Sequence, residues 1–220
     1  MSAVCFGAVS PHLRPNRRDL GANIGLVLGF AASIAFAGES AVSLIAAGMP
    51  ADCAEYAANV TRSEGSFASV SPAVNGVRCY GAFQFCDSGT LQHYWSGTRE
   101  GFLADHAAQV AAWRKYQRDE WRKANSLGMT RLIGQQVCYK GTCAVISQSS
   151  ILKGCQFGCG NGGKLYNLMR SGLDCSAAGT RDGAGTSVCS YLISGAGYNV
   201  ACITNSNDGI DCLPVMPSGG

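Results

Sequence analysis

Cys53, Ala57, Val60 and Glu64 follow one another at steps of four, three and four, so they fall on one face of a helix. Pro50 suits the opening of that helix and Gly65 its end. The longest periodic stretch runs from Glu100 to Asn125, where Leu103, Val110, Trp113, Tyr116 and Trp121 form a broad apolar face. Its acids (Glu100, Asp105) come early and its bases (Arg114, Lys115, Arg118, Arg122, Lys123) late, as the helix dipole favours. Those bases read as a solvated face. Shorter helices are expected over Glu39 to Met49, over Ser147 to Gly154, over Lys164 to Arg170, and through Val188, Tyr191 and Leu192 with Thr186 as cap. Asp87 or Ser88 can cap one more through Thr90, Leu91, Tyr94 and Trp95. Residues 65 to 86 suit a loop or small hairpin, and Cys138 and Cys143 flank a turn that a disulfide would close. Residues 195 to 212 have no clear period. The fold class is therefore mainly α (α+β), in one domain, since 220 residues at 47% hydrophobic content can build a proper core.

Composition adds a compartment. Arg14, Arg17 and Arg18 precede an uncharged run of 18 residues, Leu20 to Ala37, which ends in the small residues Ala35-Phe36-Ala37. This reads as an export signal cleaved after Ala37. The run is also long enough to span a bilayer, so an uncleaved N-terminal anchor is the rival. The domains are then 1–37 (signal or anchor), 38–212 (folded, cysteine-rich toward its end) and 213–220 (a mobile tail). The chain has 12 cysteines; loss of Cys5 with the signal leaves 11, an odd number, so one thiol is free or pairs with another chain. Their spacing lacks the Cys-x2-Cys pairs of zinc sites, and structural disulfides in a periplasmic or secreted protein are expected. Cys155 and Cys159, if helical, are one turn apart and would bond to other elements rather than to each other. The net charge is +3, and residues 1–37 supply most of it, which excludes nucleic acid as a main partner. Membrane contact is expected only through an uncleaved N-terminal segment.

Candidate chemistry centres on Glu64. A carboxyl on the stripe that packs against a core has its charged form disfavoured, so it holds a proton near neutral pH, as a general acid must. After Thr61-Arg62-Ser63-Glu64-Gly65-Ser66 come Ser71, Asn75 and then Cys79-Tyr80-Gly81-Ala82-Phe83-Gln84-Phe85. This order of a Glu at a helix end, a Ser- and Asn-containing loop and a Gly-x-x-Gln turn resembles the lysozyme-like superfamily. The nearest likeness is to soluble lytic transglycosylases and the specialised muramidases of secretion systems and phages. A second stretch, Ile151 to Gly163, resembles the Tyr-Asn-Ala-Gly-x-Gly segment of the family's cleft. Cys155 and Gln156 stand there in place of Tyr and Asn, and Tyr191 or Tyr198 could supply the missing tyrosine. The likeness covers residues 50 to 195.

The resemblance implies a lysozyme-like fold whose hairpin lip borders a cleft, acting on peptidoglycan glycan strands without metal or cofactor, in service of a secretion or conjugation machine, a phage or a toxin. It implies Glu64 as the catalytic acid and base, with Ser66, Tyr80, Gln84, Gln156 and Tyr191 binding substrate. Two-carboxylate glycosidases need a second Asp or Glu, yet residues 65 to 86 contain none. That absence suits a single-carboxylate mechanism ending in a 1,6-anhydro sugar. Phe83 and Phe85 fit the core, Tyr80 fits core or cleft equally, and Ser66 could satisfy a turn. Two other readings stand beside this one: a non-catalytic wall-binding or envelope-assembly protein, and a peptidoglycan endopeptidase on the same fold, for which only His93 and His106 could serve.

Overall fold

A computed structural model describes residues 38–181 and 185–205. The signal or anchor segment 1–37 and the tail 213–220, with Cys5 and Cys212, lie outside the described residues.

The helix expected after Pro50 forms as α2 (Ala51–Glu64), preceded by the short α1 (Ala41–Ala46). Cys53, Ala57 and Val60 are each 0% exposed, so the stripe is the buried face. Gly65 closes α2 at φ 147°, a conformation that L side chains rarely adopt, and its N–H reaches Thr61 O at 2.8 Å. The lip is a hairpin of two-residue strands, β1 (Cys79–Tyr80) and β2 (Phe85–Cys86). Phe83 stacks on Trp113 at 4.6 Å and Phe85 sets its edge against Phe102 at 5.5 Å, so both are core residues, as expected.

Beyond the lip come α3 (Thr90–Tyr94), α4 (Arg99–Ala104) and α5 (His106–Ser126). The single helix expected over 100–125 is thus two. Asp105, at φ −104° and ψ 89°, leaves helical geometry, and its carboxylate accepts Ala108 N–H at 2.8 Å. This acid caps a second helix rather than decorating the first. Asp87, by contrast, is not a cap: α3 starts after Gly89, and Asp87 accepts Arg78 N–H at 3.0 Å while pairing with Arg99 at 3.2 Å. The turn at 138–143 joins β3 (Gln136–Tyr139) to β4 (Thr142–Val145). The chain ends its described course through α6 (Gln148–Gly154), α7 (Lys164–Arg170), α8 (Val188–Ser194) and α9 (Ala201–Thr204). Ser187, one residue after the expected Thr186, caps α8 by accepting Cys189 N–H at 3.3 Å. No helix among the described residues is long and apolar enough to cross a membrane.

The core has two parts. One gathers α1, α2, the lip, α3, α4 and the first half of α5 around Tyr56, Phe102 and Trp113. The other gathers Met129, Val137, Ile151, Leu165, Leu168 and Leu192. Neighbouring residues of α6 divide between them: Leu152 joins the first and Ile151 the second. The α6 helix is therefore the shared wall.

Five disulfides staple this frame: Cys53–Cys202, Cys79–Cys86, Cys138–Cys143, Cys155–Cys159 and Cys175–Cys189. Cys138–Cys143 closes the hairpin as expected. Cys155–Cys159 corrects the expectation that these two bond elsewhere. The α-helix stops at Gly154, a 3-10 turn takes over, and Gly158 at φ 85° folds the chain back so that the two Cα atoms lie 4.8 Å apart. Cys53–Cys202 spans 149 residues and ties α2 to the end of the described chain, the kind of long loop whose closure constrains the unfolded state most. Alkylation of the native protein without reductant should label none of these ten cysteines, and reduction should expose all ten to the same reagent. Mass spectrometry reads the difference; label on any of the ten before reduction would remove that staple.

Candidate active site

Glu64 is the last residue of α2 and retains some exposed surface. Its carboxyl is nevertheless enclosed deeply enough for burial to push its pKa up to about 7, against the opposing pull of the Lys153 ammonium. Near neutral pH it is therefore poised between acid and conjugate base.

The lip comes to the same helix end. A Cβ placed on Gly65 would lie 2.6 Å from Ser69 Oγ and 3.6 Å from Gln84 Nε2, so Gln84 flanks the residue that follows Glu64. Gln84 sits in the hairpin turn at φ 50°, a left-handed conformation that costs a non-glycine residue energy, and donates to Gly81 O at 2.9 Å. This turn is held from behind by Gln109, which is fully buried on α5. Gln109 accepts Ala82 N–H at 2.9 Å and donates to Phe67 O and Phe102 O, each at 3.0 Å. A Cβ on Gly81 would run into the Gln109 amide, which explains the glycine.

Ser66 serves the turn: its N–H and hydroxyl meet Ser69 Oγ at 2.8 and 3.1 Å. Tyr80 is 7% exposed and belongs to the first core, with the Arg99 guanidinium over its ring, so it offers no stacking face to a sugar. This burial supports the core role, one of the two open to it from the sequence. Its two-residue strand packs inward beneath Arg99 rather than lining an opening.

A cleft of about 360 Å³ opens between α2, α6 and α8; Glu64 does not line it, and the link between the two is Lys153, which lines the cleft and acts on the Glu64 charge. Asn59, Arg62 and Ser63 of α2 form one wall, and Ser190, Tyr191 and Ser194 of α8 the other, with Lys153 of α6 between them. The structure thus places Tyr191 in the same cleft as Lys153. Tyr198 lies close by, its hydroxyl accepting from Asn59 Nδ2 at 3.1 Å. Gln156 is in the 3-10 turn after α6; its Oε1 is buried without a hydrogen-bond partner, and it is not among the residues lining the cleft.

Lys153 is the residue that sequence reasoning missed. It is 3% exposed, and its Nζ donates to Asn59 O at 3.2 Å. Burial lowers its pKa to about 8, with Glu64 opposing the fall and Arg62 adding to it. The available signal was a lysine inside Ile151-Leu152-Lys153-Gly154, where every neighbour is apolar or small. Its partner helix lies 94 residues away in sequence, which no local pattern reports.

Two further carboxylates, Glu39 and Asp87, are engaged elsewhere. Glu39 accepts Phe67 N–H at 2.9 Å and the Ser43 hydroxyl at 2.6 Å, so it anchors the loop after Glu64. Asp87 is held by Arg78 and Arg99 as described above. His106 stacks on Phe67 and His93 lies edge-on to Tyr94. Every described cysteine is in a disulfide, so none supplies the thiolate a cysteine peptidase needs. The two places where cysteine sulfur and carboxylate oxygen converge, at Asp52 and at Glu120, use those same oxidised sulfurs, which are poor metal donors.

Comparison of the chain with protein-family models, with curated proteins and with solved structures yields no match in any of the three.

Proposed function

We propose that the protein cleaves the glycan strands of peptidoglycan, with Glu64 as the sole catalytic carboxylate. One observation carries this reading: a carboxyl at the end of a buried helix, raised to about 7, with the Gln84 turn against the next residue and Lys153, which lines a neighbouring cleft, acting on its charge. In this reading Glu64 gives its proton to the glycosidic oxygen as the C1–O bond breaks. The acetamido carbonyl of the muramic sugar supports the positive charge that develops at C1. The Glu64 carboxylate then takes the proton of the 6-hydroxyl, whose oxygen bonds to C1 and closes a 1,6-anhydro ring. The Gln84 side chain, with a donor and an acceptor end, suits a sugar amide, and Tyr191 forms the wall opposite α2. Gln156 keeps an unpartnered acceptor for substrate only if the cleft extends past α6. A lysozyme-like fold and an oxidising, periplasmic or secreted location belong to the same proposal; the five disulfides support the location.

The engaged state of Glu39 and Asp87 makes the single-carboxylate mechanism testable. Release of soluble muropeptides from purified sacculi should persist within about threefold in Asp87→Asn and Glu39→Gln, corrected for folded fraction, because a nucleophile or base would cost about 10²–10⁴. Loss of release in folded Asp87→Asn would identify a second catalytic carboxylate and a hydrolytic enzyme.

A further inference from the structure

The cleft lined by Arg62, Ser63 and Lys153, whose ammonium acts on the Glu64 charge, holds more positive charge than a neutral glycan requires. Lys153 lines it, 3% exposed, and its ammonium makes one backbone hydrogen bond, to Asn59 O. Gly195, at the end of α8, packs on the lysine stem so closely that an added Cβ would lie 3.0 Å from Lys153 Cγ. Arg62, exposed on the adjoining wall, adds a second cation. Asn59 Oδ1 is buried there without a partner, while its amide nitrogen is held by Tyr198. The one carboxylate that acts on Lys153 is that of Glu64, and Glu64 is neutral in the form that can donate a proton. A buried cation whose counter-charge disappears when the acid is armed is costly. An anion supplied by the substrate would restore the balance in that form.

We infer that this cleft is a carboxylate subsite, in which Lys153 and Arg62 bind an acidic group carried by the muramic sugar next to the scissile bond. The inference rests on the glycan-cleavage reading and deepens it. Two sources carry the same chemistry: the lactyl carboxylate of a peptide-free muramic sugar, and the carboxylates of its stem peptide. The hydroxyls of Ser63 and Ser190 line the remainder of the cleft and suit the polar surroundings of such a group.

The test is equilibrium binding to the full chain carrying Glu64→Gln, which stops turnover and mimics the neutral acid. The ligands are neutral N-acetylglucosamine oligomers, peptide-free glycan strands, peptide-bearing strands, and peptide-bearing strands with their carboxyls capped as amides. Strands with free carboxylates should bind about 10-fold or more tighter than neutral or capped ones, the value of one charge-assisted hydrogen bond. Adding Lys153→Met should lower their affinity by about 10- to 100-fold while leaving the neutral oligomers unchanged, and Lys153→Arg should recover part of the loss. Arg62→Gln changes an exposed residue and should weaken the same ligands, so the test survives if the buried Lys153 variants fail to fold. Tighter binding of peptide-free strands identifies the lactyl source, and tighter binding of peptide-bearing strands the stem peptide. If neither peptide-free strands nor uncapped peptide-bearing strands bind more tightly than neutral oligomers and capped strands, and Arg62→Gln is silent, the subsite is overturned and glycan cleavage is left standing. Failure of every glycan to bind overturns glycan cleavage and the subsite together.

Discussion

Glu64→Gln should reduce the release of glycan fragments from sacculi by about 10²–10⁴, with a native far-ultraviolet circular dichroism spectrum. The amide keeps the size of the carboxyl but has no acidic proton to give. It also removes the group that alternates between acid and base, so both halves of the reaction fail together. The fold should tolerate the change well. The stripe that packs α2 is Cys53, Ala57 and Val60, all fully buried, and the helix stop belongs to Gly65. Burial favours the neutral form of Glu64 by more than the pull of Lys153 opposes it, and glutamine is neutral throughout. A folded mutant that still works within a few-fold of the parent would remove Glu64 from the chemistry.

The second large effect is on pH dependence. The acid is armed below about 7, so kcat/KM should fall roughly tenfold per unit as pH rises beyond that value. Lys153 holds the Glu64 pKa down, so Lys153→Met should move the descending limb to higher pH, while Lys153→Arg should leave it near its original place. Stability follows with a defined sign. The folded state keeps the Glu64 proton up to about 7, whereas an unfolded chain releases it near 4.5. Between those values the folded state binds more protons, so stability declines as pH rises across the interval. Glu64→Gln removes that decline. Thermal melts should therefore place the mutant above the parent at pH 8 and close to it at pH 4; the reverse order would mean that Glu64 is stabilised as an anion.

Local pattern reported the elements that local forces build. The α2 stripe was legible because a helix repeats every 3.6 residues and three small residues marked one face, and Phe83 and Phe85 were legible as core. The division at Asp105 was hidden because no proline or glycine sits at the break, and an acid there satisfies the dipole rule and the capping rule equally. Tyr80 was ambiguous for a related reason: a two-residue strand has no alternation to read. The cleft was largely illegible. It is formed by α2, α6 and α8, which meet only through tertiary packing, and its central cation breaks the rule that lysines face water. Such a local conflict is where a functional site is expected. The Cys155–Cys159 pairing is not legible because it depends on the 3-10 turn after Gly154 and the reversal at Gly158, which spacing alone does not report.

Glycan ends decide the central claim most directly. Wild-type protein and Glu64→Gln should each be incubated with purified sacculi, and the soluble products separated and weighed by mass spectrometry, with and without borohydride reduction. The account predicts disaccharide-peptides that end in 1,6-anhydro-muramic acid, resist borohydride, and are absent from the Glu64→Gln digest. Reducible muramic ends, free peptides with intact glycan, or the same products from Glu64→Gln would contradict it.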